Sequence, residues 1–205
     1  MPSVYDLKPK FQSLLRPIVG AMARVGVTAN QVTVGALLLS FAAGAAIYFS
    51  RDMHILLLLP LVLFVRMALN AIDGILAREH NQKTPLGAIL NELGDVFSDA
   101  ALYLPLAFFQ PFDPVAMVSV ALLGTLTEMT GVVAVQIGAS RRYDGPMGKS
   151  DRAFVFGTLG LLLGLNLPIF PAVRPVLWIV VFLLVLTILN RARGALRELQ
   201  GRKVS

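Results

Sequence analysis

Carboxylates and carboxamides recur at helical spacing in the first half of this chain. Asn70, Asp73 and Ala77 follow an i, i+3, i+7 pattern and share one helix face. Gly87, Asn91, Asp95 and Asp99 recur every four residues and stack on another. Glu92 and Glu128 add acid, and Arg66 and Arg78 add base. Carboxylate and amide oxygens are hard ligands, suited to Mg²⁺, Mn²⁺ or Ca²⁺. Mg²⁺ usually binds together with substrate phosphates. Arg78 offers a planar fork for such a phosphate, and Gly74 and Gly87 let a ligand or a neighbouring backbone approach closely. Two other readings fit the same residues. One is helix packing by small residues around a buried ion pair, Arg66 with Asp99 or with Glu128. The other is a proton or ion pathway.

The elements that carry these residues are expected to lie in a membrane. The chain has 205 residues, of which 56% are hydrophobic and 15% charged. Its mean hydropathy is +0.73. A soluble domain carries about 25% charged and about 45–50% apolar residues, so a water-soluble globule and a disordered chain are both excluded. Cysteine is absent, which removes disulfides, thiolate metal sites and cysteine nucleophiles. The two histidines, His54 and His80, are too few for a multi-histidine metal centre. A membrane helix needs about 20 apolar residues. Six candidate spans are read at Val32–Tyr48, Ile55–Leu76, Leu86–Phe109, Pro114–Ile137, Ala153–Leu165 (extended at either end) and Val176–Leu189. Residues 1–28 lack the apolar core of a cleaved signal. They are expected to form an amphipathic helix on the membrane, with Phe11, Leu14, Leu15, Ile18 and Met22 at helical spacing.

Lys and Arg set the orientation. Six spans put both termini on one side, with Lys8, Lys10, Arg16 and Arg24, then Arg78 and Lys83, then Arg141, Arg142, Lys149 and Arg152, then Arg191 onward. The opposite side holds Arg51 and Arg174, and Arg66 falls inside a span. Both termini and the motif side are therefore expected in the cytoplasm. The net charge of +6 is read as loop charge facing anionic lipid, not as a nucleic-acid surface. The basic tail Asn190–Ser205, including Arg191, Arg193 and Arg197, is read as an anchor that extends the last helix. One domain, 1–205, is expected, with a short connection at Glu79–Thr84 making the 66–99 segment a hairpin of spans two and three.

Residues 70–95, NAIDGILAREHNQKTPLGAILNELGD, resemble the signature of the CDP-alcohol phosphotransferase (phosphatidyltransferase) family, D-x2-D-G-x2-A-R-x8-G-x3-D-x3-D. Asp73, Gly74, Ala77, Arg78, Gly87 and Asp95 match at the family's spacing. Residues 26–33, GVTANQVT, are similar to the family's G-x-T-P-N-x-x-T lead-in to span one, with Ala29 in place of proline. The resemblance implies an all-α integral membrane enzyme of six spans behind an amphipathic helix. It implies transfer of a substituted phosphate from CDP-diacylglycerol to an alcohol, with release of CMP, in phospholipid synthesis. By the same resemblance Gly74, Ala77, Arg78 and Gly87 line the cytidine nucleotide site. Asn70, Asp73, Asn91 and Asp95 hold a divalent metal, Mg²⁺ or Mn²⁺, and Asp95 is the general base. Homodimers also accord with it, and the lack of cysteine and the short, compact loops suit a bacterial inner membrane.

Two signature aspartates are asparagines here, Asn70 and Asn91. An amide oxygen still ligates a hard cation, but two negative charges are gone. Weaker metal binding, or one ion in place of two, is expected, with Asp99 and Glu92 as candidate compensation. Asp95 and Asp99 repeat the D-x3-D spacing one turn deeper, and Asp95 keeps the place of the last aspartate. The alternative is a degenerate member that binds CDP-lipid without turnover. The loop Ser140–Arg152 is read either as a site for an anionic acceptor, with glycerol 3-phosphate favoured, or as positive-inside charge facing anionic lipid. Lys149 and Arg152 are the stronger candidates in it, and Arg141, like Arg142, is closer to surface charge.

Overall fold

The computed structural model describes residues 4–50 and 52–204; side chains are described for 11–50 and 52–202. The expected charges Lys8, Lys10, Arg51 and Lys203 lie outside the described side chains. Among the described residues seven α-helices follow in order: α1 Val4–Arg24, α2 Ala29–Phe49, α3 Leu58–Glu79, α4 Pro85–Tyr103, α5 Pro114–Gln136, α6 Lys149–Gly164 and α7 Phe170–Val204. No strand occurs among the described residues. Local chemistry sets the helix starts. Thr28 and Gln31 form a reciprocal capping box at α2. Thr84 accepts from the Gly87 amide at α4, with Pro85 in the first turn. Asp113 does the same for α5, followed by Pro114.

Among the described residues four helical stretches are long and apolar enough to cross a membrane: Ala29–Phe49, Met53–Glu79, Pro114–Gln136 and Phe170–Arg202. They include four of the six expected spans. α4 falls outside this set because Glu92, Asp95 and Asp99 interrupt it. α6 falls outside because its 16 residues reach only about 24 Å at 1.5 Å each, short of a hydrocarbon core of about 30 Å. The expected third span also ends early. The α-helix stops at Tyr103, and a 3₁₀ turn over Leu104–Phe108 follows, with Pro105 in its first turn. The last helix runs past Leu189 to Val204, as expected for a basic tail that extends it.

α2 packs between α3 and α4, α3 also meets α1 and α6, and α5 bridges α4 and α7. The half of the bundle away from the polar residues is sealed by Ile47, Leu56, Leu59, Leu102, Leu106 and Phe156. Tyr103 and Phe156 stack there at 4.5 Å between centroids. Large apolar side chains such as Leu38, Phe64, Leu122 and Phe182 cover the outside, which suits lipid as the solvent. Of the expected α1 stripe, Leu15 is buried with Val19 against Ile72, Ile75 and Leu76. Leu14 and Ile18 point outward.

Candidate active site

The α3–α4 connection at His80–Thr84 brings the two polar faces together. Asn70 on α3 donates from Nδ2 to Asp95 Oδ1 on α4 at 3.4 Å. Asp73 is buried and accepts from Thr33 Oγ1 of α2 at 2.9 Å. It lies within electrostatic reach of Asp95 and Lys149. Arg78 folds back along α3, so that a Cβ on Gly74 would come within 3.0 Å of its guanidinium. A Cβ on Gly87 would come within 2.7 Å of Asn30 Oδ1. The glycines are thus needed where Arg78 and Asn30 lie over the hairpin. Asn91 is exposed on α4.

Asn30 belongs to the α2 lead-in, which is tied to the hairpin by Gln82. Gln82 Oε1 accepts from the Ala29 amide at 2.7 Å, and its Nε2 donates to the Val27 carbonyl at 3.4 Å. A proline at position 29 has no amide N–H to donate. The Ala29 departure from the family pattern is thus used as a hydrogen bond.

Behind the hairpin lies a buried charge network. Asp99 accepts from Arg66 Nη1 at 2.9 Å and from Arg152 Nη2 at 2.8 Å. Glu128 on α5 faces Arg141 at 3.2 Å, Arg191 at 3.4 Å and Arg152 at 3.7 Å. Arg141 also grips Glu92 through two bonds of 3.0 and 2.7 Å. The expected Arg66–Asp99 ion pair is present. Several expectations need correction. Asp99 and Glu92 do not supplement the metal ligands, because arginines hold both. Arg152 is only 2% exposed and is committed to Asp99 and Glu128, so it does not face an acceptor. Arg141 is not surface charge but clamps α4 to α5. Arg191 is no tail anchor. It is buried and donates to the Thr127 carbonyl at 2.5 Å. Its sequence context, one arginine in a basic tail, carried no sign of this. Thr33 and Asn30 stood in the lead-in motif and were the legible hint for that side.

Lys149, at the first turn of α6, points its ammonium onto Asp95 Oδ1. Arg66 Nη2 approaches the same oxygen at 3.9 Å. Asp95 is therefore engaged by cations where a metal ligand was expected. Among the described residues no three His, Asp or Glu side chains converge to hold a metal by themselves. Asp73 with the amide oxygens of Asn70 and Asn91 has the chemistry for one hard cation completed by phosphate or water. The donor set does not fit a pair.

Comparison with known proteins bears on this geometry. The CDP-alcohol phosphatidyltransferase family matches residues 26–189. The inner membrane protein YnbA of Escherichia coli strain K12 is 46% identical over 195 residues, 95% of this chain and 96% of that protein. The archaetidylinositol phosphate synthase of Pyrococcus horikoshii is 30% identical over 101 residues, 49% of this chain and 52% of that one. The crystal structure of Mycobacterium tuberculosis phosphatidylinositol phosphate synthase with CDP-DAG bound superposes with a TM-score of 0.72 at 24% identity. It covers 87% of this chain and 92% of that chain. The same enzyme with manganese and citrate gives 0.71 at 24% identity, covering 87% of each. At this identity the likeness is one of fold.

Proposed function

The chain belongs to the CDP-alcohol phosphatidyltransferase family, and from that membership we propose that it moves a phosphatidyl group from CDP-diacylglycerol to an alcohol and releases CMP. The convergence of the α3 and α4 signature faces on Asp95, with Lys149 opposite, carries this reading. Gly74, Ala77, Arg78 and Gly87 bind the cytidine nucleotide, with Asn30 over Gly87 as a further contact. A divalent ion, Mg²⁺ or Mn²⁺, held by Asp73 with Asn70 and Asn91, neutralises phosphate charge when bound. The acceptor oxygen forms a bond to the phosphorus that carries the lipid. The bond from that phosphorus to the bridging oxygen breaks, and CMP leaves with the electron pair. Asp95 takes the hydroxyl proton. Lys149 spends one of its three N–H donors on Asp95 Oδ1 and keeps the rest for an anionic acceptor. A phosphorylated polyol is the acceptor class. Glycerol 3-phosphate is one member, and inositol phosphate is another, in keeping with the names of the two synthases above.

The same reading takes the whole chain as one membrane domain with α4 and α6 as two further spans, making six, and α1 on the interface. Both termini and the site face the cytoplasm, and the inner membrane is the location, as for the E. coli relative. The amides at 70 and 91 favour a second reading, a binder of CDP-lipid without turnover. One assay separates the two: CMP release from CDP-diacylglycerol by purified protein with Mg²⁺ or Mn²⁺ and a panel of alcohols. Release that needs metal, one acceptor and Asp95 (lost in Asp95→Asn) supports the transferase. Donor binding with no CMP from any acceptor leaves the binder.

A further inference from the structure

Asp95 is the one signature carboxylate on α4, and three cationic or polar donors meet it from two elements, α3 and α6. Arg66 comes from α3 one turn before Asn70, Lys149 from the start of α6, and the Asn70 amide from the facing helix. Arg66 is 3% exposed. Its Nη1 is spent on Asp99, while its buried Nη2 has no hydrogen-bond partner among the described residues and is turned toward Asp95. Such a donor is costly to bury without a role. The two amides lower the negative charge of the signature positions, and the guanidinium and ammonium raise the positive charge at the same place. A divalent ion on Asp95 would sit against two fixed cations in a poorly solvated site, where like charges are screened little.

We propose that Arg66, with Lys149 beside it, supplies the positive charge that a second divalent ion would otherwise provide at Asp95, so that the chain binds one ion, on Asp73. Asn70 and Asn91 are then the matched half of a charge exchange rather than lesions. The inference rests on the transferase reading for the phosphate ligand, but the ion count is measured without substrate.

The test is Mn²⁺ titration of the purified full-length protein in detergent, with free Mn²⁺ followed by electron paramagnetic resonance. One Mn²⁺ per chain, lost in Asp73→Asn, is expected. In the Asn70→Asp, Asn91→Asp background a second, weak Mn²⁺ appears. Adding Lys149→Met tightens that second site by about tenfold or more, the size expected when one charge about 4–6 Å away is removed. Arg66→Met in the same background does likewise, and Arg66→Lys, which keeps the charge, does not. Lys149 is 29% exposed at its side chain and lies outside the Asp99 network, so its variant remains informative if Arg66→Met fails to fold. Two Mn²⁺ per wild-type chain, none at all, or a second site indifferent to Lys149 overturns the proposal. A wild type that binds two ions and releases CMP refutes this inference alone. One that binds a single ion and releases no CMP refutes the transferase reading alone.

Discussion

Replacing Asp99 by asparagine should destabilise the protein strongly, although the two side chains are nearly isosteric. Asp99 Oδ1 takes Arg66 at 2.9 Å, and Oδ2 takes Arg152 at 2.8 and 3.2 Å. The two arginines are 3% and 2% exposed. Asparagine keeps one acceptor oxygen and turns an NH₂ donor toward a guanidinium donor. Arg152 retains the Thr127 hydroxyl at 3.4 Å and Glu128 at 3.7 Å, and Arg66 retains Asp95 at 3.9 Å. Removing one partner of a buried pair costs about 3–5 kcal/mol. At about 2–4 °C per kcal/mol for a chain of this size, the melting temperature should fall by about 6–20 °C. Trp178 is the single tryptophan and reports unfolding in detergent. Leu102→Ala, at a fully buried core position, is the positive control, with a cost of about 2–5 kcal/mol. Combining Asp99→Leu with Arg66→Met and Arg152→Met should recover much of the loss, because replacing a whole buried ionic group is often close to neutral. The reasoning fails if Asp99→Asn melts with the wild type while Leu102→Ala does not.

Gln82→Leu removes two bonds to the α2 lead-in and should cost about 1–3 kcal/mol through the stranded Ala29 amide, read as faster amide exchange over residues 26–30. Gly87→Ala places a methyl against Asn30 and should weaken CDP-diacylglycerol binding by about tenfold, or 1.4 kcal/mol, with little change in acceptor KM. Lys149→Met should raise the KM for an anionic acceptor and leave donor binding near wild type, as measured by CMP release against acceptor concentration.

The sequence alone determined the membrane class, the all-helical fold, the family and the 66–99 hairpin. These rest on local signals. Apolar runs need no partner to be read, and the caps Thr28, Thr84 and Asp113 act within one turn. A signature with fixed spacing on two helices joined by a short turn also brings its own geometry. The span boundary around Tyr103 was less legible. Whether an apolar run stays α-helical past a proline depends on what packs beside it. The partners of the charges were decided only by tertiary structure. Arg141, Arg152 and Arg191 look alike in sequence as motif-side basic residues, yet all three converge on Glu128. Arg66 had two eligible carboxylates and took Asp99. Lys149 became the neighbour of Asp95 because α6 packs on α3, across 54 residues of chain. Charge pairing in a poorly solvated interior is set by which helices touch, and a spacing pattern within one helix holds no record of that.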